Sequence, residues 1–556
     1  MIERSGVRQH CRVIAAPTRA FSSTVLEWGV FLPLYALHSR ASWGAGNFSD
    51  LERLQEWVGK QGGHFVSVLP LLAAHAQAPF DPSPYAPSSR LFWNELYIDP
   101  QRVPELAECP AAQQLLASSS FRRELAALRQ APTVDYDRQR KVQRRVLAEL
   151  AGWLSGSRNA RHAELLRYAA DHPAVDSYAA FAAVVDERQT PWQDWPEHLR
   201  GGTIRRTDRD QARYFYHLYV QWLAERQLAA AASTSSGKPG LHLDFPLGVH
   251  AHGYDTWRYR DAFALDASGG APPDPVFTRG QDWQFPPLHP ERIRAQGYGY
   301  VIDCLKHQMG HASSLRIDHV MALHRLYWIP KGFPASEGVY VGYRPEELYA
   351  ILCLESHRQR TTLVGENLGT VPPAVNTALS RHGIRKMYVV QYEAQPVAAR
   401  PLRRVPSDSV ASANTHDMPP FTAYLGGLDL QDRLALGLLT QSYLPRQQRA
   451  RRRIRQALAG FFRRNGRLAS TSAPDAGLTR AALAWLAKST AAAVIINLED
   501  LWVETAPQNV PGTGLERPNW RRKSRYALEE LTARPDLLET IRLVAEAREP
   551  RQRRRR

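Results

Sequence analysis

The stretch RTTLVGENLGTV, residues 360–371, joins a short apolar run to a single carboxylate. Thr362, Leu363 and Val364 are residues that favour a buried β-strand, and Glu366 follows at the point where that strand should end. Asn367 stands next to it, in place of a second acid. A short buried strand that ends in a polar residue is typical of a parallel sheet, whose loops carry functional groups.

Seven more segments of this kind occur along the chain, and helical stretches separate them. Strands that alternate with helices predict a parallel sheet, and eight such strands predict an α/β fold, the (β/α)8 TIM barrel. The predicted strands are Val30–Tyr35, His64–Pro70, Leu241–Phe245, Ser314–Asp318, Thr362–Glu366, Lys386–Tyr392, Val410–Asn414 and Val494–Leu498.

The helix between the first two strands has clear boundary signals. Ser49-Asp50-Leu51-Glu52 predicts a capping box, and Gly62-Gly63 predicts the end of the helix. Leu51, Leu54 and Val58 fall on one face at helical spacing, which predicts packing against the sheet.

Two long stretches do not fit the simple repeat of strand and helix. Residues 100–238 and 418–490 are mostly helical in pattern, and we interpret them as insertions that form lobes around the active-site face. The predicted organisation is an N-terminal extension at 1–27, a catalytic barrel at 28–540, and a basic C-terminal tail at 541–556.

Composition favours a cytoplasmic protein. The 556 residues include 44% hydrophobic ones, but no apolar run long enough to cross a bilayer, and the N-terminus lacks the apolar core of a secretory signal. An arginine-rich, acid-poor start leaves a transit peptide as the weaker alternative. Four scattered cysteines do not suggest a disulfide framework.

Positive charge is concentrated in two runs. The net charge is +17, and the segments RQQRARRRIRQ (446–456) and RQRRRR (551–556) are rich in arginine. Such runs can bind nucleic acid, but no aromatic residues alternate with the arginines. We therefore favour a solvated helix face and a free tail over a nucleic-acid interface.

Acidic residues stand at or near the ends of several predicted strands. In a TIM barrel these ends form the active face, although any single acid there could simply cap the next helix. Five acidic positions at equivalent points favour a functional cluster. They are Asp244, Asp318, Glu366, Asp417 and the pair Glu499-Asp500.

The chain lacks the usual nucleotide and nucleophile motifs. G-x-G-x-x-G after a strand, the P-loop and G-x-S-x-G are all absent. HQMGH, residues 307–311, lacks the glutamate of a zinc protease motif, so a packed pair of histidines is favoured over a metal site. Carboxylates on a barrel rim, with aromatic side chains in the loops, are suited to glycoside chemistry.

Ordered blocks from residue 28 to 530 make the sequence similar to one family. They include SWGAGNFSDL, SPYAPSSRLFWNELYID, DFPLGVHAHGYDTW, GQDWQFPP, LRIDHVMALHRLYWIP, LVGENLGTVP, NTHDMPP and LEDLWVETAPQNVPG. The chain resembles the 4-α-glucanotransferases (amylomaltase, or disproportionating enzyme) of glycoside hydrolase family 77, and in particular the bacterial maltodextrin-utilisation branch. We do not expect the extra N-terminal domain of that branch, because the first strand is predicted near residue 30.

The resemblance implies a retaining double displacement on α-1,4-glucan, with no metal and no organic cofactor. It implies Asp318 as nucleophile, Glu366 as general acid and base, and Asp417 as stabiliser of the transition state. The implied partners are maltodextrin, starch or a glycogen-type glucan as donor, and another glucan or glucose as acceptor. The implied substrate contacts are Tyr85, Asp274, Gln281, Trp283, Arg316, His416 and Asn509.

The residues fit these implied roles. Arg316, two residues before Asp318, should favour the ionised nucleophile, whereas burial and nearby acids should raise the pKa of Glu366. Retention predicts that the carboxyl groups of Asp318 and Glu366 lie about 5–5.5 Å apart.

Three positions depart from the usual family pattern. Asn367 replaces an aspartate, Gln284 replaces a glycine, and Glu95 replaces a proline. Loss of a negative charge at 367 should make Glu366 easier to ionise, which predicts an activity optimum at lower pH. Gln284 is predicted to crowd a glucose subsite.

Two other functions are compatible with these residues. One is a mainly hydrolytic enzyme acting on α-glucans. The other is a glucan-binding protein whose basic tail contacts nucleic acid, which the intact set of Asp318, Glu366 and Asp417 disfavours.

Overall fold

Eight parallel strands close into a barrel in chain order. The structure, a computed structural model, describes residues 12–23, 25–75, 80–234, 237–274, 277–514 and 516–549, and the backbone of Ile2–Arg4 and Val7–Gln9. Each strand pairs with the next, and the eighth pairs with the first, so the predicted (β/α)8 barrel is confirmed. The strands are β1 Glu27–Phe31, β2 Phe65–Ser67, β3 Gly240–Phe245, β4 Ser314–Ile317, β5 Thr362–Gly365, β6 Arg385–Val389, β7 Ser409–Ser412 and β8 Ala493–Asn497.

The first strand lies three residues earlier than predicted. It ends at Phe31, because Pro33 has no N–H with which to continue a ladder between two neighbouring strands. Its pairing partners are β8 and β2, with Val30 opposite both Ile496 and Val66.

The barrel interior holds its own small apolar cluster. Phe65, Val364, Val410 and Ala493 are buried together there, apart from the main core. Gly29 of β1 makes this possible, since a Cβ at that position would lie 2.4 Å from a ring carbon of Phe65.

The first barrel helix is Phe48–Lys60, and its N-cap lies two residues before the predicted cap at Ser49. Asn47 is the N-cap and forms a capping box with Asp50, so the predicted box at Ser49 was wrong. Ser49 instead donates a hydrogen bond to Asp99 Oδ2 at 2.5 Å. The predicted apolar face is buried, with Leu51, Leu54 and Val58 each no more than 1% exposed.

Both predicted insertions are helical, but the last helix of each belongs to the barrel. Gln211–Ala232 packs against Phe48–Lys60 and leads into β3, while Asp475–Ala487 packs against β7 and β8. The remaining helices of these two stretches are Pro110–Ala117, Ser119–Gln130, Tyr136–Ser157, Ala160–Asp171, Pro173–Arg188, Glu197–Arg200, Phe421–Gly426, Leu428–Ala435 and Leu444–Arg464.

A four-stranded antiparallel sheet stands beside the barrel and carries part of the predicted substrate contacts. Its strands, in spatial order, are Val339–Gly342, Arg325–Pro330, Ala267–Ala271 and Gln281–Asp282. Besides Phe48–Lys60, the described α-helices outside the two insertions are Tyr254–Arg258, Pro290–Ala295, Gly299–Met309, Pro345–Gln359, Pro373–Arg381, Val390–Glu393, Leu498–Leu501, Leu528–Ala533 and Pro535–Arg548.

The C-terminal boundary predicted at residue 541 falls inside the last helix. Pro535–Arg548 buries Leu537, Ile541 and Val544 against the barrel, so residues 541–548 are part of the packed fold. The predicted basic run 551–556 lies outside the described residues. Among the described helices, none has both the length and the apolar character needed to span a membrane.

Candidate active site

Asp318 and Glu366 stand side by side at the C-terminal end of the barrel. Ile317 of β4 is in register with Gly365 of β5, and each acid directly follows its strand. The ladder extends one step further, since Glu366 N–H donates to Ile317 O at 3.0 Å and Asp318 N–H donates to Phe245 O at 3.1 Å. Strand register therefore brings the predicted nucleophile and the predicted acid together.

Arg316 connects Asp318 to a third carboxylate on the neighbouring strand. Its Nη1 lies 3.1 Å from Asp318 Oδ1 and donates to both oxygens of Asp244, at 2.6 and 2.8 Å. Asp244 and Arg316 are in register on β3 and β4, and both are almost completely buried. One guanidinium thus compensates two acids.

A second group of predicted residues joins this network from the opposite side. The Tyr85 hydroxyl donates to Asp244 Oδ2 at 2.7 Å, and it lies 2.7 Å from His416 Nε2. The rings of Tyr85 and His416 are stacked, with centroids 5.2 Å apart. His416 Nε2 lies 3.1 Å from Asp417 Oδ2, and Asn509 Nδ2 donates to Asp417 Oδ1 at 2.8 Å.

The environment of Glu366 favours its protonated form. Burial raises the pKa of Glu366 to about 7; Arg316 opposes this effect, while Asp318 adds to it. Its carboxyl oxygens accept hydrogen bonds from the backbone N–H groups of His319 (2.9 Å) and Leu368 (3.1 Å). The expected elevation of this pKa is therefore present.

The pKa of Asp318 is also raised above that of a free aspartate, but it stays below the pKa of Glu366. Burial raises the pKa of Asp318 to about 6; Arg316 lowers it, and Asp244 and Asp417 raise it. The expected contact with Arg316 is present, but it only partly offsets burial.

Asp417 is the most acidic of the three. Burial alone would raise the pKa of Asp417, but His416 and Asn509 outweigh burial and bring that pKa to about 2. His416 is affected in the opposite sense, because burial lowers its pKa and Asp417 more than restores it. The site thus holds one permanently ionised carboxylate and two carboxyls that titrate near neutral pH.

The antiparallel sheet brings a further aromatic group to the site. Trp283 packs edge-on against His319, with ring centroids 5.1 Å apart, and its Nε1 donates to Gln281 Oε1 at 3.2 Å. Asp274 lies on the loop of the same sheet, where its Oδ1 accepts from Phe277 N–H at 2.5 Å. Burial raises the pKa of Tyr392, and the negative charges of Glu366, Asp417 and Asp274 raise it further.

Comparison with known proteins identifies the family. The family model of glycoside hydrolase family 77, described as 4-alpha-glucanotransferase, matches residues 32–529. The chain belongs to this family. It is an enzyme that transfers segments of α-1,4-glucan, and the double-displacement mechanism is general among 4-alpha-glucanotransferases.

Relatives and solved structures agree with this assignment. The 4-alpha-glucanotransferases of Mycobacterium tuberculosis and Haemophilus influenzae are 33% and 32% identical over 534 and 546 residues, or 92% of this chain and 73% and 78% of theirs. Amylomaltase from Corynebacterium glutamicum superposes with a TM-score of 0.82 at 28% identity, over 96% of this chain and 77% of that one. Amylomaltase from Streptococcus agalactiae, solved with acarbose, shares the fold with a TM-score of 0.72 at 19% identity, over 93% and 98%.

The three departures from the 4-alpha-glucanotransferase pattern lie in different surroundings. Asn367 directs its amide away from Glu366, because it donates to Asn376 Oδ1 at 2.8 Å and accepts from Met387 N–H at 2.9 Å. Gln284 is exposed and has a φ of 58°, in the left-handed region that favours glycine. Glu95 lies in a short 3-10 helix, Glu95–Tyr97, where it contacts Tyr216.

Three residues of the site were given no substrate or catalytic role from the sequence. Asp244 was only one of several strand-end acids, although its register with Arg316 was available once the strands were placed. His319 has a φ of 43° directly after Asp318, a strained conformation that aims its N–H at Glu366. Tyr392 is 51% exposed, and its position depends on the short helix Val390–Glu393 that follows β6.

Two other predictions concern residues away from these contacts. Glu499 and Asp500 are buried behind the rim rather than placed on it, with 2% and 1% exposure. His307 stacks on Trp93 and His311 lies 2.8 Å from Glu225, so the HQMGH histidines are a packed pair.

Proposed function

We propose that Asp318 is the nucleophile and Glu366 the general acid and base of α-1,4-glucan transfer in this protein. The observation that carries the proposal is the different environment of two adjacent carboxyls. Asp318 lies against the Arg316 guanidinium, whereas Glu366 accepts only neutral backbone N–H groups in a buried position. One carboxyl is thus suited to attack, and the other to proton transfer.

In the first step an Asp318 oxygen attacks the anomeric carbon of the donor glucan. The bond from that carbon to the glycosidic oxygen breaks, and Glu366 gives its proton to the departing 4-oxygen. In the second step the 4-OH of an acceptor attacks the same carbon, Glu366 takes the acceptor proton, and the bond to Asp318 breaks. Two inversions give retention, for which we expect the two carboxyls to lie about 5–5.5 Å apart.

Asp417 is proposed to stabilise the positive charge that develops on the sugar ring. Its low pKa keeps it ionised throughout the working range, and His416 and Asn509 fix its two oxygens. A fixed negative charge near an oxocarbenium-like transition state lowers its energy without reorganisation. Tyr85, Arg316, His416 and Asn509 are proposed to contact the sugar at the cleavage point.

Gln281, Trp283 and Asp274 are proposed to hold the glucan beyond the cleavage point. Their support is position, since the antiparallel sheet brings Trp283 against His319, next to Asp318. An aromatic face suits stacking against a sugar ring. The proposed donors are maltodextrin, starch or glycogen-type glucan, and the proposed acceptors include glucose. Amylomaltase from Streptococcus agalactiae, which shares the fold, was solved in complex with acarbose.

We propose a cytoplasmic location for this reaction. Cys109, Cys304 and Cys353 are buried free thiols, a state that a reducing compartment preserves.

Maltotriose is the substrate that tests these roles most directly. Wild-type protein should release glucose and also form longer maltooligosaccharides, whereas a hydrolytic enzyme, the second candidate, would give only glucose and maltose. Asp318→Asn should abolish both classes of product. Asp303→Asn is the matched control, since Asp303 lies on the outer barrel helix Gly299–Met309. Unchanged product formation by Asp318→Asn would overturn the nucleophile assignment.

A further inference from the structure

The loop that carries His416 and Asp417 has little regular structure of its own. Residues 413–420 lie between β7 and the helix Phe421–Gly426, and they end in Pro419 and Pro420, which have no N–H to donate. The Asp417 side chain remains 45% exposed. Besides the contacts that Asn509 and Tyr85 make with Asp417 and His416, the position of the loop depends on contacts at its two ends.

Asp500, in the short helix Leu498–Leu501 after β8, contacts both ends of this loop. Its Oδ1 accepts a hydrogen bond from Phe421 N–H at 2.8 Å and another from Asn414 Nδ2 at 3.2 Å. Asn414 is the second residue of the loop and Phe421 directly follows its last residue, so a single carboxyl oxygen contacts both ends of the loop. Asn497 Nδ2 lies 3.3 Å from Asn414 Oδ1 and fixes the entry further.

Gln391, in the short helix Val390–Glu393 that follows β6, makes a second pair of contacts from the other side of β7. Its backbone N–H donates to Ala413 O at 3.2 Å, and its side-chain Nε2 donates to Pro419 O at 2.8 Å. Gln391 therefore also bridges entry and exit. The Tyr424 hydroxyl donates to Gln391 O at 3.3 Å, which ties the following helix to the same residue.

We propose that Asp500 and Gln391 are positioning residues that clamp loop 413–420 from both sides and thereby set the place of the Asp417 carboxylate. Neither residue is assigned to the reaction by the fold or by the family assignment above. The inference rests on the proposed role of Asp417, and the experiment below separates the two. Catalysis through a fixed charge is sensitive to displacements of about 1 Å, which can lower a rate about 100-fold.

The chemical state of Asp500 decides which substitution is conservative. Asp500 is 1% exposed, and its Oδ2 has no hydrogen-bond partner among the described residues. Burial raises the pKa of Asp500 to about 7, against the opposing hydrogen bond from Phe421. Below neutral pH the carboxyl is therefore largely neutral, and an asparagine can supply the same accepting oxygen.

Four variants and one benchmark test the clamp. Asp500→Ala removes the accepting oxygen, Asp500→Asn keeps it, and Gln391→Met removes only the side-chain bond to Pro419. Asp50→Ala is the matched control, because Asp50 is equally buried at a helix start and bonds to Ser39, Ser42 and Asn47. The benchmark is Asp417→Asn. The measurements are kcat and KM for maltotriose, together with the melting temperature Tm.

We expect Asp500→Ala to lower kcat about 10- to 100-fold, with KM changed less than kcat, because the lost contact acts through the transition state. Asp500→Asn should recover most of the rate, and Gln391→Met should lower kcat by a smaller factor. Asp50→Ala should lower Tm and leave kcat within about twofold of wild type, since it acts on stability alone.

The proposal is overturned if Asp500→Ala and Gln391→Met keep wild-type kcat while Asp417→Asn is inactive. It is also overturned if Asp500→Asn loses as much rate as Asp500→Ala with an unchanged Tm. If Asp417→Asn is itself fully active, the role of Asp417 fails instead. Should Asp500→Ala not fold, the comparison of Asp500→Asn with Gln391→Met still decides, since only a clamp predicts a loss in the glutamine variant.

Discussion

The guanidinium of Arg316 lies 3.1 Å from the carboxylate of Asp318, and the same nitrogen donates to Asp244. The proposed nucleophile therefore shares its positive partner with another buried acid. This arrangement explains why the pKa of Asp318 stays near 6 although a guanidinium is in contact with it. Burial is only partly compensated when one cation serves two anions.

Removal of Arg316 should make Asp318 harder to ionise. Arg316→Met removes the group that lowers the pKa of Asp318, so the acid limb of kcat/KM should move up by about 1–3 pH units. At pH 7 we expect kcat/KM to fall about 100-fold or more, because both ionisation and sugar contact are lost. The measurement is kcat/KM for maltotriose between pH 4.5 and 9, with assay points spaced by about half a unit.

Arg385→Met is the control for this variant, because Arg385 is equally buried but pairs with Glu27 at the opposite end of the barrel. It should lower stability and leave the acid limb in place. Arg316→Lys retains a charge and should shift the limb less than Arg316→Met. If the acid limb is the same in all three variants, then Arg316 does not lower the pKa of the group that sets this limb, and the assignment of the limb to Asp318 is contradicted.

The wild-type pH profile should be a narrow bell. The proposed mechanism needs Asp318 ionised and Glu366 protonated, so we expect activity to be lost below the pKa of Asp318, about 6, and above that of Glu366, about 7. Because the two groups interact, the limbs report the pair rather than single residues. We expect the maximum of kcat/KM between these values, at mildly acidic to neutral pH.

Asn367→Asp tests whether the missing family aspartate tunes this profile. An added negative charge raises the pKa of Glu366, so the alkaline limb should move to higher pH. The shift should be less than about one unit, because the Asn367 side chain points toward Asn376 and Met387, and Coulomb energies fall with distance. Asn376→Asp adds a charge nearby and serves as control. An unchanged alkaline limb in Asn367→Asp would refute the predicted link to pH.

The barrel was predictable because its strands are short, buried and regularly spaced by helices. Asp244, Asp318, Glu366 and Asp417 could be placed at one rim from that pattern alone, whereas the same pattern misplaced Glu499 and Asp500, which are buried behind the rim. The error at β1 came from an apolar run that continues past Pro33, where periodicity carries no boundary signal. The helices Gln211–Ala232 and Asp475–Ala487 were grouped with the insertions because sequence pattern does not distinguish a helix that faces the barrel from one that faces a lobe.

The contacts within the site were less predictable. Asp244 and Arg316 meet only because β3 and β4 are in register, and Tyr85 and His416 meet across more than 300 residues of chain. His319 depends on a backbone conformation, φ 43°, that residue type does not reveal. The resemblance to the family implied the roles of these residues. The hydrogen bonds and ion pairs that connect them are visible only in the structure.

Gln284 offers a test of backbone strain against side-chain crowding. It occupies the left-handed region with a φ of 58°, and the resemblance of the GQDW block to the family implies glycine there. Gln284→Gly should stabilise the protein by about 1 kcal/mol, since the Cβ clash is removed at some cost in chain entropy. Gln284→Ala removes the bulk but keeps the Cβ, so Tm should not rise.

Product profiles on maltooligosaccharides of increasing length separate the two effects. If the Gln284 side chain crowds a subsite, both variants should use longer donors better than wild type does. If Gln284→Gly raises Tm and neither variant changes the preferred donor length, then Gln284 strains the backbone but does not crowd a subsite. A Tm that rises equally in both variants would contradict the strain argument.

Arg548 closes the bottom of the barrel, and its loss should cost stability without affecting catalysis. Its guanidinium donates to the backbone oxygens of Glu27, Ser489 and Ala491, at 2.8–3.3 Å, and the side chain is 2% exposed. Arg548→Ala leaves these buried carbonyls without that donor, which should lower the free energy of unfolding by about 2–4 kcal/mol.

The exposed Arg542 on the same helix is the matched control, and Arg542→Ala should leave Tm within about 1 °C of wild type. Truncation after Glu549 should likewise be neutral for Tm and kcat, whereas truncation after Thr540 removes Ile541, Val544 and Arg548 and should prevent folding. A stable, active protein ending at Thr540 would restore the boundary predicted at residue 541.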